Sequence, residues 1–524
     1  MRFRKKVITR REHTSAFETE NILQTADLYR KEGKIYEAVN LYRQAKDYDR
    51  ILSISLTPLI LERYGNESFI SLLEDLSQCS YELKTRYPLS MLNICWGLKT
   101  VGLDNAFDIL MDALYPIVSA QESKPELLGE WLLLSSFKYH PDSVRMASIL
   151  KEAEPLFAGK CSQVILPQSH LWFSIYVPFS VYYTKKGEAD REAAYFEEYI
   201  ALYSRITGGH GCGAGALFRS SLAYQRGDLG NAEIYAYKAL YLAQGTQQSL
   251  VLLGVIQQLG QIALHKADAV GWQNAVKSIA QASASLQNSF TSRAVSDILC
   301  AFLLCELQQV DDIADWIKNG DFSEHRLSSA LVLPAVFLHA LYLLHRSEFT
   351  RVVGFTEAWF QMSSESNPLF FMLISLVTAA GYMQLNDSYR AWVFIRQAAM
   401  KALPDGLIFP FASFSWILKG LSDKLIEKEH PELLQHFKQV KSRFAVGWRK
   451  LYKDLSPELL PESLTIRERE VALLASRGLH NSEIAKKLNI SENTIRAHLR
   501  AVFQKLAVDR RAKLAEKLKE YRIM

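Results

Sequence analysis

"LTIREREVALLASRGLHNSEIAKKLNISENTIRAHLRAVFQKLAV", Leu464 to Val508, packs helix starts and stops closely enough to define a small domain. Thr465 followed by Glu468 is a capping-box signature, and it predicts a first helix running to about Ser476. Gly478 stops that helix, and Asn481 is placed to cap a second, in which Ile484, Ala485 and Leu488 face inward. Asn489, Ile490 and Ser491 then form a three-residue connection, with Ser491 as N-cap of a third helix. Two short helices joined by so tight a turn have the spacing of a helix-turn-helix.

Ile495, Leu499, Val502 and Leu506 fall at i, i+4, i+7 and i+11 of the third helix, so one apolar stripe holds it on its neighbours. Asn493, Arg496, Ala497 and Arg500 occupy the adjoining face. Arg496 and Arg500 lie one turn apart, close enough for both guanidiniums to enter one stretch of major groove. Each has the fork geometry to bond O6 and N7 of a guanine, and Ala497 suits a thymine methyl. Asn481, Ser482, Ser491, Thr494 and Lys505 are expected at the DNA backbone, where contacts position the helix without reading sequence. The other reading is a solvated surface helix. Charge favours the first: residues 463–524 hold 14 Lys/Arg against 7 Asp/Glu, whereas the chain as a whole, with 61 against 56, carries only +5. All the positive excess therefore lies at this end.

Upstream, from about Asn21 to Tyr452, apolar residues recur at helical spacing and Gly or Pro falls between segments. Three places share one template: Gly33, Ala38 and Ala45; Gly227, Ala232 and Ala239; Asn386, Ala391 and Ala398. A turn residue followed by small residues at fixed offsets suits helix–turn–helix repeats, because the turn accepts a left-handed backbone and alanines let paired helices approach. The expected fold class is all-α: a tetratricopeptide-like helical solenoid, then a four-helix C-terminal domain. Pro457 and Pro461 interrupt the pattern, which sets the expected boundaries at 1–453 for the repeats, 454–463 for a linker and 464–524 for the terminal domain.

A hydrophobic share of 49% and a charged share of 22% are ordinary for a soluble globular chain of 524 residues. The six cysteines (Cys79, Cys95, Cys161, Cys212, Cys300, Cys305) include no Cys-x-x-Cys, which fits a reducing cytoplasm and no structural metal. The basic start "MRFRKKVITRREH" lacks the apolar stretch of a secretion signal. Ser366 to Asn386 is uncharged and long enough to span a bilayer, yet it runs into a repeat, so a buried helix is expected. "GGHGCGAG", Gly208 to Gly215, lacks the Lys and Ser/Thr of a phosphate loop and reads as an interhelix connection. His339, in an apolar run, reads as a hydrogen-bonded core histidine, and Asp311 and Asp312 as part of a solvated face.

The 464–508 stretch resembles the LuxR/GerE-type DNA-binding domain in its "LTIREREV" start, its "NSEIAKKL" helix and its "SENTIRAHL" recognition helix. The resemblance implies base contacts at the positions of Arg496, Ala497 and Arg500, backbone contacts at Ser491, Thr494 and Lys505, and pairing through a fourth helix, about Asp509 to Tyr521. There Asp509 would be the cap and Leu514 with Leu518 an apolar pair left partly exposed. Ile466, His480 and Ala507 depart from the family pattern without removing a groove-facing side chain. The helical region is more loosely similar to MalT-type regulators, on "AYQRGDLGNAEIYAYKAL", "DIADWIKNGDF" and "ALPDGLIFPF". Those regulators carry an ATP-binding module; this chain has no Walker motif, so no cofactor and no ATP-driven switching are expected. The implied function is a cytoplasmic, non-enzymatic, bacterial-type transcriptional regulator, with double-stranded DNA, RNA polymerase and a second copy on DNA as partners and a small-molecule or protein effector on the solenoid. The rival is a solenoid scaffold whose terminal domain binds DNA weakly or serves only for dimerisation.

Overall fold

The computed structural model describes residues 18–54, 66–100, 102–169, 177–285, 290–320, 322, 329–362, 367–455, 464, 466–488, 490–506 and 508–520. All regular structure among them is helical. The chain divides into two compact units, residues 1–262 with 271–441, and residues 263–270 with 442–524.

The helices that carry the argument are α1 (18–31), α2 (Ile35–Gln44), α3 (Ala189–Ile206), α4 (Ala214–Gln225), α5 (Leu229–Gly245), α6 (Ser249–Lys266), α7 (Ala269–Ser285), α8 (Phe290–Glu306), α9 (Ser329–His345), α10 (Phe349–Met362), α11 (Pro368–Gln384), α12 (Ser388–Ala402) and α13 (Leu434–Leu455). One turn recurs between them. A residue in the left-handed region stands two positions before the next helix: Gly33, Lys46, Gly102, Gly227, Gln247, Ala267, Gln308, Ser347 and Asn386, at φ between 56° and 78°. The amide that follows each of them bonds the carbonyl five residues back, as in Asp228 N to Ala223 O and Asp387 N to Tyr382 O, at 2.8–3.0 Å. This closes the spent helix with the bond that a left-handed C′ residue makes possible. Three of the aspartates that follow also open the next helix: Asp47, Asp228 and Asp387 accept from the amides of Arg50, Asn231 and Arg390 at 3.0, 3.1 and 3.0 Å.

The alanines of the template serve the packing as expected, with one exception. Ala38, Ala232, Ala239, Ala391 and Ala398 are wholly buried. Ala45 instead follows the end of α2 and is half-buried. Glycine is needed where "GGHGCGAG" crosses α5: a Cβ on Gly213 (φ +96°) would lie 2.8 Å from Ala239 O. That stretch joins α3 to α4, and its His210 is buried with Nδ1 at 2.6 Å from the Tyr203 hydroxyl and Nε2 at 2.8 Å from Ser169 O. It is a packed connection between two helices.

Within the first unit α3 packs on α4, α4 on α5, α8 on α9, α10 on α11, and α11 on α12. The apolar Ser366–Asn386 window becomes α11, buried along nearly its whole length between α9, α10 and α12. No described helix is long and apolar enough to cross a membrane. His339 is buried, bonds Ile317 O through Nδ1 at 2.9 Å, and lies so close to Gly320 (φ +68°) that a Cβ there would meet its ring at 2.5 Å. Burial holds its imidazole below the usual range. Asp311 and Asp312 are exposed, and Asp311 pairs with Arg346 at 3.3 Å.

The helices do not contact only their neighbours in sequence. Asp405 is buried and accepts from the Tyr183 hydroxyl at 2.6 Å, from Ala189 N at 2.9 Å and from Gly187 N, while its carbonyl accepts Arg226 Nε at 2.8 Å. Arg226 O is 2.7 Å from His436 Nε2, Asn367 Nδ2 donates to Ser180 O at 2.6 Å, and the Tyr224 and Phe409 rings meet edge to face at 4.7 Å. Residues 180–227 are thereby bonded to residues 367–436 across about two hundred intervening positions. The two loosely matching segments "AYQRGDLGN" and "ALPDGLIFPF" meet here, at Arg226 and Asp405.

Candidate nucleic-acid interface

In the second unit α14 (Ile466–Ser476), α15 (Asn481–Leu488), α16 (Glu492–Lys505) and α17 (Leu514–Glu520) enclose one core. Val471, Ala472, Ala475, Ile484, Ile495, Leu499, Val502, Leu506, Leu514 and Leu518 form its centre. The predicted stripe on α16 is therefore the buried one, and α16 packs on both α14 and α15. Gly478, at φ +86°, ends α14, with Leu479 N bonded back to Leu474 O at 3.3 Å. Thr465 and Ala507, the expected cap and the departure at the end of the recognition helix, lie outside the described residues. Of the linker placed at 454–463, Asp454 and Leu455 close α13 and the remainder lies outside them too.

Helix starts follow the sequence at α16 and depart from it at α15. Ser491 caps α16, accepting Thr494 N at 3.1 Å, and its hydroxyl lies 2.7 Å from that of Thr494. At α15 the cap is His480, whose carbonyl accepts Glu483 N and Ile484 N, both at 3.0 Å, while its own amide donates to the Glu483 carboxylate at 2.6 Å. That is the return arm of a capping box without the usual hydroxyl arm. Asn481 is thus the first helical residue, not the cap, and its Oδ1 is taken by Arg511 Nη1 at 3.0 Å.

Three cations hold the domain together. Arg467 Nη2 donates to Leu488 O, the last carbonyl of α15, at 2.6 Å. Arg511 reaches Ala475 O at 3.2 Å, Leu479 O and Asn481, and so covers the end of α14 and the start of α15; burial pushes its guanidinium below the usual arginine range. Lys505 Nζ pairs at 2.7 Å with Glu468, whose side chain is only 8% exposed, and so ties the end of α16 to the start of α14. The carbonyls that they bond are groups that helix ends leave without intrahelical partners. Counting charge alone assigns all three cations to an outside polyanion; their partners within the fold separate them from the rest.

What stays outside is the predicted face. Asn493, Thr494, Arg496, Ala497 and Arg500 are exposed on α16, Ser491 lies exposed at its start, and Ser482, Lys486 and Lys487 are exposed on α15. Arg496 is 3.6 Å from Glu492 one turn back, and Arg500 has no ion pair among the described residues. The final helix differs from expectation. Leu514 and Leu518 are fully buried, because they pack onto α14 within the domain. Asp509 pairs with Lys513 at 3.1 Å, and the helical turn opens with a 3-10 segment at Arg511–Lys513. Among the described residues no group of three His, Cys, Asp or Glu side chains is placed to hold a metal.

Residues 462–518 match the profile of the luxR family of bacterial regulatory proteins. Over 51 residues the chain is 45% identical to the probable transcriptional regulatory protein SgaR of Hyphomicrobium methylovorum, covering 10% of this chain and 24% of that one. Over 58 residues it is 40% identical to the monoamine regulon transcriptional regulator of Klebsiella aerogenes, covering 11% and 26%. The match thus spans about a quarter of each of these relatives, and the family profile falls on α14 to α17. Buried stripe, tight turn, exposed basic face and sequence kinship agree: the chain carries, at residues 462–518, the helix-turn-helix domain of the luxR family of bacterial regulatory proteins.

Proposed function

We propose that this protein is a transcriptional regulator that lays α16 in the major groove of promoter DNA. The observation that carries the reading is the division of α16: one stripe is wholly buried, and the opposite face presents Asn493, Arg496, Ala497 and Arg500 to solvent. These four meet base edges, with the arginines as guanine readers. Ser482, Ser491 and Thr494 line the phosphates, and Asn481 and Lys505 join them only by exchanging their partners Arg511 and Glu468. Residues 1–453 act as the receiving region, a solenoid-like array for a small-molecule or protein effector, with 454–463 as linker and 464–524 as the DNA-binding part. The protein works without catalysis in the cytoplasm, as a homodimer on DNA that engages RNA polymerase. Since Leu514 and Leu518 are internal, that pairing does not run through those two side chains. Selection of bound sequences from random DNA by the full chain tests the reading. A defined motif whose binding falls steeply with salt is the expected result; salt-insensitive or motif-free binding would favour the scaffold alternative.

A further inference from the structure

Helix α6 carries three glutamines, Gln257, Gln258 and Gln261, in an otherwise apolar run, and all three are buried. Buried amides are kept where every polar atom has a partner, and here some do not. Ser221 Oγ on α4 donates to Gln258 Oε1 at 2.9 Å, and Gln261 Nε2 donates to Glu306 Oε1 on α8 at 2.7 Å. Gln258, 2% exposed, has no hydrogen-bond partner for Nε2, and Gln225, one turn beyond Ser221 on α4, has none for Oε1. An enclosed donor and an enclosed acceptor, on two adjoining helices of the first unit, thus await complementary groups.

The surroundings select the chemistry. No cation of the cluster is available for an anion, because Arg226 spends its guanidinium on both Asp190 oxygens, at 3.0 and 2.9 Å, and on Asp405 O. Burial pushes the Glu306 carboxyl up to about 8, so at neutral pH it is chiefly a neutral donor and acceptor. Tyr224, between Ser221 and Gln225 on α4, is buried edge-on against Phe409.

We propose that Ser221, Gln225, Gln258, Gln261 and Glu306 form the effector site, and that its ligand is an uncharged small molecule bearing both hydrogen-bond donors and acceptors, a polyol or an amide rather than a phosphate or a carboxylate. The proposal rests on the receiving role given above to residues 1–453. It makes Gln258 Nε2 a ligand-binding group, while Gln258 Oε1 holds the Ser221 hydroxyl. Replacing Gln258 by leucine in the unliganded protein removes an unsatisfied amide and raises the melting temperature.

The experiment uses the full chain and its Gln258→Leu and Gln225→Leu variants. Melting and calorimetric titration are run with glucose, sorbitol, uridine and nicotinamide as uncharged probes, and with glucose 6-phosphate, UMP and aspartate as charged counterparts. The expected result is saturable stabilisation by an uncharged probe, weakened at least tenfold in both variants, no response to the charged set, and a higher melting temperature for ligand-free Gln258→Leu. A lower melting temperature for that variant, binding confined to charged probes, no binding by any probe, or undiminished binding in both variants would each overturn the site. Operator binding, followed alongside, separates the two claims. A probe that alters DNA affinity equally in wild type and Gln258→Leu leaves the receiving role standing and removes this site. A probe that binds through Gln258 without changing DNA affinity does the reverse.

Discussion

Arg500 and Lys505 sit one and a half turns apart on the same helix and do different work. Arg500 is exposed and outside every ion pair among the described residues, so Arg500→Ala should leave the melting temperature nearly unchanged while relaxing preference at one or two base positions, a loss of about 1–3 kcal/mol against the best site. Lys505 neutralises a carboxylate that is almost fully buried. Lys505→Ala should therefore destabilise the domain by about 1–3 kcal/mol, because the buried Glu468 carboxylate loses the lysine paired with it. Melting curves read beside binding selections check both; an unchanged melting temperature in Lys505→Ala would return that lysine to a purely DNA-facing role. Gln258 and Glu306 make the same point in the first unit, where side chains in an apolar run reveal their duty only through their partners. The exposed face of α16 was legible because a helical period fixes which face is out. The clamps were not, because Arg467, Lys505 and Arg511 answer to carbonyls and a carboxylate 21 to 37 positions away.

The recurring turn offers a sharper test of how sequence sets helix boundaries. Its left-handed position is held by glycine at Gly33, Gly102 and Gly227, but by Ser347 at φ +61° and Gln308 at φ +60° elsewhere. A side chain there costs about 1 kcal/mol, so Ser347→Gly should stabilise the protein by roughly 0.5–1 kcal/mol. Gly227→Ala should do the opposite and by more, since a Cβ would lie 2.4 Å from the Val440 side chain besides straining the backbone. Chemical denaturation of the two variants reads both signs. Reading Gly or Asn followed by small residues found three of these turns. It missed Lys46, Gln247, Ala267, Gln308 and Ser347 because packing on either side imposes the conformation that the residue itself disfavours. It missed Gly102 because Phe107 and Leu114, not alanines, stand at the two offsets. In the final helix the sequence suggested that Leu514 and Leu518 are left partly exposed. The described part of that helix is Leu514–Glu520, and the core takes both leucines.

Over the full chain, buried titratable groups set a stability optimum near neutrality. Burial raises the carboxyls of Glu130 and Glu306 to about 7 and about 8, so the folded chain keeps protons that the unfolded chain releases above about 4.5, and stability falls as pH rises through that window. Burial lowers the imidazoles of His140 and His345 to about 4 and that of His265 to about 3, so the unfolded chain takes up protons below 6.5 and stability falls as pH drops from there. Below 6.5 the histidines outnumber the carboxyls, and above it only the carboxyls act. The melting temperature should peak between about pH 6 and 7, and Glu306→Gln should flatten the alkaline side; a steady rise to pH 8 would contradict the assignment. The bonds around Asp405 carry a different consequence. In an open row of repeats each hairpin leans only on its neighbours and can peel away by itself. Here Tyr183, Ala189 and Arg226 are fastened to Asp405 across more than 170 residues, so the intervening hairpins form a closed circuit. Pulled from its two ends in an optical trap, that circuit should resist as one body and give way in a single large extension, not in a staircase of hairpin-sized steps. Asp405→Ala should turn the single rupture into the staircase.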